Sequence, residues 1–186
     1  MKKIKLIQIV ETGIMLALAT VLSMLKIYQA PFGGAVTLLS MLPLIIIALR
    51  YKTKWGIITG VVYGLIQLLL DSGKMAGWGL SLQAIFGSIA FDYLIAFGVL
   101  GFAGLFVNKK WGPYVGTTLA ITLRFLSHVI SGTIFFSQWA LKGWNPFVYS
   151  IAYNGAYMLP EMVLTLLAII LFPRLIKLAG YKERYI

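Results

Sequence analysis

The chain has 186 residues, of which 60% are hydrophobic and 11% are charged, and its formal net charge is +11. With a mean hydropathy of +0.91, its apolar content exceeds what a soluble domain of this length can bury, so the sequence predicts an integral membrane protein. Because there is no cysteine and only one histidine, thiolate and multi-histidine metal sites are excluded, and we predict neither a metal nor a cofactor.

Six hydrophobic segments follow one another, each near the roughly 20 residues that span about 30 Å of hydrocarbon. They are residues 6–25, 35–50, 55–70, 80–107, 114–138 and 146–178. The last begins at Asn145-Pro146, a pair typical of a helix start. No linker is long enough to join a second domain, so residues 1–186 are predicted to form a single all-α membrane domain of six transmembrane helices.

Positive charge is distributed unequally between the two ends of these segments. Twelve of the 16 Lys and Arg residues fall on one side, only Lys26, Lys74 and Lys142 fall on the other, and Arg124 lies within a segment. Because cytoplasmic loops retain Lys and Arg, both termini are predicted to be cytoplasmic, N-in and C-in. The positive charge then suits anionic lipid of the bilayer, and no nucleic-acid partner is predicted.

Polar residues inside the hydrophobic segments mark a candidate binding site. Asp92 interrupts segment 80–107, where a carboxylate costs several kcal/mol unless cationic or hydrogen-bonding groups satisfy it. At about 1.5 Å per residue, Asp92 and the single histidine, His128, lie at similar depth. Arg124 and Glu161 also share a depth and have opposite charges, which fits either a structural ion pair between the last two segments or a pair of ligand contacts.

Aromatic residues accompany these polar groups. A buried carboxylate among aromatic rings favours a flat organic cation, through charge pairing and cation–π contact. The rings expected near Asp92 are Tyr93, Phe136, Tyr149, Tyr153 and Tyr157. The tryptophans near segment ends are instead expected to form the aromatic belt at the membrane interface. They are Trp78, Trp139 and Trp144.

Three motifs carry a resemblance to a known family. Asp92-Tyr93 within FDYLIAF, His128 within RFLSHVISGTIFF, and Tyr149 and Asn154 within VYSIAYNG resemble the thiamine-specific S component (ThiT family) of energy-coupling factor transporters. The stretch SMLPLIIIALRYKTKWGIITGVVYGLIQLLL is similar to that family's second and third helices. The resemblance implies an S-component bundle of six helices, with a pocket open to the outside under a lid formed by residues 27–34.

The resemblance also implies residue roles. Asp92 would offset the thiazolium charge of thiamine and accept from its aminopyrimidine, and His128 would pack against a ring. Tyr93, Tyr149 and Asn154 would orient its polar edges and hydroxyethyl tail. Phe136 stands where the family carries a stacking tryptophan, which predicts a weaker stacking contact.

Partners follow from the same resemblance. Gly13 and Ala17 would form a small-residue face on the first helix that docks to a transmembrane coupling subunit, with two ATPase subunits completing the complex. The sequence has no glycine-rich phosphate loop, so ATP hydrolysis is assigned to those partners. The predicted function is capture of thiamine for ATP-driven uptake, as a multi-pass protein of the bacterial plasma membrane.

Two alternatives remain at the sequence level. One is an S component or stand-alone carrier for another vitamin or small cationic molecule. The other is an intramembrane enzyme in which Asp92 and His128 act as an acid–base pair. The sequence has no recognisable nucleophile elbow, metal-ligand cluster or paired-carboxylate motif, so we predict that the protein is not an enzyme.

Overall fold

The computed structural model describes residues 2–174, and within them five helices are long and apolar enough to cross a membrane. The elements are α1 (Lys2–Met24), β1 (Lys26–Gln29), β2 (Ala35–Thr37), α2 (Leu42–Gly77), α3 (Leu82–Ser88), α4 (Ala96–Gly98), α5 (Gly112–Phe135) and α6 (Pro146–Leu171). A π-helical stretch, Ile89–Ile95, joins α3 to α4, and a 3-10 helix, Val99–Phe106, follows α4. We call the continuous span Leu82–Phe106 the mixed helix. The predicted end of the last segment, residues 175–178, lies outside the described residues.

The helix α2 is broken near its first third. Lys52 has φ 69° and ψ 173°, which is non-helical, and it lies in the predicted break between the second and third segments. A Cβ placed on Gly56 would lie 2.6 Å from the Cβ of Ala48. In a straight helix, residues eight apart are about 12 Å apart along the axis. The chain therefore folds back at Lys52, so that the two parts of α2 pack against each other.

The loop predicted at residues 27–34 belongs to a β-hairpin, so the expectation of a purely α-helical chain is wrong in this region. Strands β1 and β2 pair antiparallel, with Gln29 opposite Ala35, and a 3-10 turn at Pro31–Gly33 connects them. Gly33 has φ +100°, a left-handed conformation that glycine adopts without steric cost. The turn at Pro31–Gly33 ends the pairing of the two strands. The β-branched residues of β2 favour the extended backbone.

Glycines bring α2 against the mixed helix. A Cβ on Gly60 would lie 2.1 Å from the carbonyl oxygen of Phe97, and one on Gly64 would lie 2.5 Å from that of Tyr93. On the facing side, a Cβ on Gly101 would lie 2.2 Å from the backbone nitrogen of Ile57. Small residues spaced by four permit such backbone contact in membrane helices. This contact fixes the position of the mixed helix, and with it the position of the π-helical turn that carries Asp92.

The ends of several elements meet at one end of the bundle. The hairpin, the ends of α2 and α5, and the starts of the mixed helix and α6 all lie there in the chain's up-and-down path. The start of α6 has the predicted cap, because the Asn145 side chain accepts hydrogen bonds from the backbone of Phe147 and Val148 and Pro146 occupies the first turn.

Candidate binding cavity

A cavity of about 570 Å³ opens at this end of the bundle, between the hairpin and the helices. Its volume lies within the roughly 300–1,000 Å³ typical of small-molecule sites. All six residues predicted to bind a ligand line it, although they come from three separate segments of the chain. They are Asp92, Tyr93, His128, Phe136, Tyr149 and Asn154.

Asp92 lies in the π-helical stretch, and its carboxylate oxygens contact two serine hydroxyls and one histidine ring nitrogen. Its Oδ2 accepts from Ser88 Oγ at 2.9 Å and from Ser131 Oγ at 2.6 Å, while its Oδ1 lies 2.9 Å from His128 Nδ1. A π-helical turn inside an α-helix is frequent at functional sites. The two serines were missed by sequence analysis, although Ser88 precedes Asp92 by one helical turn and could have been found from that spacing.

His128 has one ring nitrogen engaged and one without a partner. If Asp92 is ionised, the proton lies on Nδ1, and in the neutral imidazole Nε2 is then an acceptor. Nε2 is buried and has no hydrogen-bond partner. His128 lines the cavity, and Nε2 is the hydrogen-bonding atom of the pair that has no protein partner.

Asn154 connects two helices as well as lining the cavity. Its Nδ2 donates to Ser150 O at 2.9 Å and to His128 O at 3.4 Å, and its Oδ1 accepts from Tyr157 Oη at 2.5 Å. Asn154 is only 4% exposed. Its amide therefore links α6 to α5. It also positions the Tyr157 ring beside the His128 imidazole, and the centroids of these two rings are 6.2 Å apart.

Aromatic rings form two walls of the cavity. On α6, Tyr149 stacks on Tyr153 with centroids 6.1 Å apart, and Tyr153 meets Tyr157 edge-on at 5.8 Å. Opposite them, Phe136 lies 5.5 Å from Trp139. These walls suit a flat ring system. Trp78 and Trp139, which are expected in the interfacial belt, both line the cavity. Trp144 does not line it and is half-exposed.

The hairpin lies beside the cavity and is attached to α6. Tyr153 Oη donates to the carbonyl of Pro31 and accepts from the backbone nitrogen of Gly34 at 3.3 Å. Further along, Thr37 donates to Glu161 through both its backbone nitrogen and its hydroxyl. The predicted lid, residues 27–34, therefore contacts the cavity walls through the tip of the hairpin.

The expected ion pair between Arg124 and Glu161 is not formed. Glu161 Oε1 is taken by Thr37, and Arg124 places its guanidinium 3.9 Å from the centroid of the Phe97 ring. Both residues line the cavity, so the alternative of ligand contacts stays open for them. Strand β2 brings Thr37 to Glu161 Oε1, a contact that the helix spacings alone do not reveal, and Glu161 Oε2 has no donor.

Gly13 and Ala17 lie away from this cavity. Both are exposed on the outer surface of α1, and no atom lies within 4 Å of a Cβ built on Gly13. Neither residue lines the cavity. Among residues 2–174, no group of three or more His, Asp or Glu side chains is arranged to hold a metal ion.

Comparison of the sequence with known proteins identifies relatives of this chain. The sequence profile of the family described as "Thiamine transporter protein (Thia_YuaJ)" matches residues 9–179. The thiamine transporter ThiT of Bacillus subtilis is 29% identical over 93% of this chain and 95% of its own length. ThiT of Lacticaseibacillus paracasei is 26% identical over 89% of this chain and 86% of its own.

A solved structure shows the same fold. ThiT from Listeria monocytogenes, determined by native-SAD phasing, superposes with a TM-score of 0.72 at 24% identity and covers 92% of this chain and 98% of its own. Transporter relatives and five apolar helices indicate a multi-pass protein of the bacterial plasma membrane that acts as a transporter and not as an enzyme. Since the family profile spans most of its length, the chain belongs to the thiamine transporter family.

Proposed function

We propose that this chain is the substrate-binding S subunit of an energy-coupling factor transporter, and that it captures thiamine from outside the cell for uptake driven by partner ATPases. The observation that carries the proposal is the partly buried Asp92–His128 pair, which lines an aromatic cavity and leaves His128 Nε2 unpartnered. Thiamine supplies an amino group for that acceptor, a cationic ring for Asp92 to offset, and flat faces for the aromatic walls.

The proposed bundle has six transmembrane helices with both termini in the cytoplasm. The break at Lys52 supports the count, because a straight helix over Leu42–Gly77 would be about 54 Å long, far beyond the roughly 30 Å hydrocarbon core. Counting the two parts of α2 separately gives six helical segments, and the first of the two parts, residues 42–51, is about 15 Å long. The excess of Lys and Arg on one side supports this orientation and, with it, a cavity mouth on the outside.

The energy source is proposed to be external to this chain. The sequence has no glycine-rich phosphate loop, so a coupling subunit and two ATPase subunits would supply ATP hydrolysis. The exposed Gly13 and Ala17 on α1 offer a small-residue face that allows close approach of a partner helix.

Intrinsic fluorescence of the purified protein tests the binding proposal, because Trp78 and Trp139 line the cavity. We expect saturable quenching by thiamine with one site per chain, and none by riboflavin or biotin. A variant with Trp78→Phe and Trp139→Phe should lose most of the signal while calorimetry still detects binding. A response to another vitamin in place of thiamine would contradict the assignment.

Uptake into vesicles tests the coupling proposal. Thiamine uptake should require the coupling subunit, both ATPases and ATP. Uptake by this chain alone, driven by an ion gradient, would show a stand-alone carrier instead.

A further inference from the structure

Two segments that carry exposed lysines meet at the end of the bundle away from the cavity. Lys52 lies at the fold-back of α2 and Lys54 follows it, while Lys110 lies in the loop between the mixed helix and α5. All three side chains are exposed, and none lines the cavity. Within residues 2–174, no carboxylate forms an ion pair with any of them. Their positive charges are therefore available to a partner outside this chain.

Backbone contact holds the fold-back of α2 against the end of the mixed helix. A Cβ on Gly104 would lie 2.7 Å from the backbone nitrogen of Thr53 and 2.8 Å from the carbonyl carbon of Lys52. The mixed helix and the second part of α2 run antiparallel, so Leu105 lies level with Lys52. The turn with its two lysines is thus fixed beside the last residues of the mixed helix.

The loop between the mixed helix and α5 turns back tightly. The backbone nitrogen of Lys109 donates to the carbonyl of Phe106 at 3.0 Å, and that of Gly112 donates to the carbonyl of Lys109 at 2.9 Å. A Cβ on Gly116 would lie 2.3 Å from the carbonyl oxygen of Ala103, so α5 returns directly along the mixed helix. The third lysine of the group therefore stays close to the fold-back of α2.

Apolar side chains flank these lysines on the outer surface of the bundle. Leu105, Trp111 and Val115 are 50%, 47% and 45% exposed. Trp111 packs on Phe106 with ring centroids 5.2 Å apart, and Val115 lies four residues further along on the same side of the chain. An exposed indole beside charged residues is typical of the headgroup level of a bilayer. Lysines next to an apolar surface suit an amphipathic ligand with a negative headgroup and acyl chains.

We propose that Lys52, Lys54 and Lys110 form a headgroup-binding site for an anionic phospholipid, whose acyl chains lie along Leu105 and Trp111. Basic sites between transmembrane helices bind such headgroups. The inference goes beyond a general attraction of the basic side to anionic lipid, because it assigns the lipid to one position. It depends on the membrane assignment and not on the ligand of the cavity.

Native mass spectrometry of the purified protein in detergent tests the site, with phosphatidylglycerol and phosphatidylcholine of identical acyl chains as probes. In the wild type we expect phosphatidylglycerol to bind at least roughly tenfold more tightly. Replacing Lys52, Lys54 and Lys110 together by glutamine should reduce that ratio to below about threefold, because the charges that select the headgroup are removed. Inorganic phosphate should not displace the lipid, since it lacks acyl chains; displacement would show a simple anion site instead.

The matched control removes three lysines of α1 instead. Lys2, Lys3 and Lys5 replaced together by glutamine give the same loss of net charge, and this variant should keep the wild-type ratio. An equal drop in both triple variants would show attraction to net charge and overturn the site. Equal binding of the two lipids by the wild type would overturn it as well.

Quenching by brominated acyl chains keeps the proposal testable if the triple variant does not fold. In phosphatidylcholine nanodiscs, a small fraction of brominated phosphatidylglycerol should quench tryptophan fluorescence more than the same fraction of brominated phosphatidylcholine. Trp111→Phe should abolish this difference, and Trp144→Phe, which removes a similarly exposed indole elsewhere, should keep it. Equal quenching by the two lipids, or a difference that survives Trp111→Phe, would overturn the site.

Discussion

Asp92 and His128 have different proposed roles in ligand binding. Asp92 is already hydrogen-bonded by Ser88 and Ser131, so its charge is held in place before a ligand arrives. His128 Nε2 carries the remaining hydrogen-bonding capacity of the pair. Preorganised groups of this kind bind without first having to be ordered, which favours affinity.

Removing the charge of Asp92 should weaken thiamine binding more than any other single substitution proposed for the cavity. Truncating one partner of a buried charge pair costs on the order of 2–5 kcal/mol, so Asp92→Asn should raise Kd by roughly 30-fold or more. Calorimetry measures it. Glu11→Gln is the control, because it removes a carboxylate that pairs with Arg50 away from the cavity. Wild-type affinity in Asp92→Asn would refute the role assigned to this residue.

The ring at position 136 should respond to an increase in size. Phe136→Trp is expected to tighten thiamine binding or leave it unchanged, since an indole gives a larger face and a stronger cation–π contact. Competition calorimetry against the wild type tests this. Trp139, whose ring lies 5.5 Å away, must move for a second indole to fit. A large loss of affinity would mean that the wall has adapted to phenylalanine.

At the scale of whole elements, the β-hairpin lies beside the cavity, and we propose that it controls access. Its tip is attached to α6 through Tyr153, and its second strand through Thr37 and Glu161. Two attachment points allow the tip to release while the base stays anchored.

Removing the tip attachment should speed up release of the ligand. Tyr153→Phe deletes the hydroxyl that joins Pro31 and Gly34, while it keeps the aromatic ring in the wall. One hydrogen bond is worth about 0.5–1.5 kcal/mol, so the dissociation rate constant of thiamine should rise by roughly two- to tenfold in stopped-flow fluorescence. Tyr114→Phe, away from the cavity, is the control. An unchanged rate would show that the tip does not retain the ligand.

Helix α1 is expected to serve the partner and not the ligand. Ala17→Trp should abolish close helix–helix contact, so ATP-dependent uptake by the assembled complex should fall at least about tenfold while thiamine binding by the isolated subunit is preserved. Leu18→Trp is the matched control, because Leu18 is also exposed but lies about 100° around the helix. Loss of binding together with uptake would assign Ala17 to the fold of this chain.

For the molecule as a whole, we propose that the fold-back at Lys52 makes the chain cross the membrane six times. If the N-terminus is cytoplasmic and the two parts of α2 each span the bilayer, residue 109 lies in the cytoplasm and residue 143 lies outside. Because the natural chain has no cysteine, single cysteines at Lys109 and Gly143 can be labelled without background. We expect an impermeant maleimide added to intact cells to react at Gly143→Cys only. Reaction at both positions from outside would contradict the six-helix threading.

Sequence patterns alone predict the membrane class, the breaks between segments and the shared depth of Asp92 and His128. Hydropathy is read directly from the order of residues, and depth follows from a constant rise per residue. The structure places these two side chains 2.9 Å apart. The roles of the six predicted ligand-binding residues stay predictions that the proposed experiments test.

The pairing of polar groups and the choice of rings that line the cavity depend on contacts between segments far apart in the chain. Glu161 is bound by Thr37, 124 residues earlier in the chain, and not by Arg124. Trp78 and Trp139 line the cavity. These outcomes depend on the rotation of each helix about its axis and on the placement of the hairpin. Both are set by packing between distant segments, such as the contacts of the α2 glycines with the mixed helix. The spacing of residues along a single helix does not reveal such contacts.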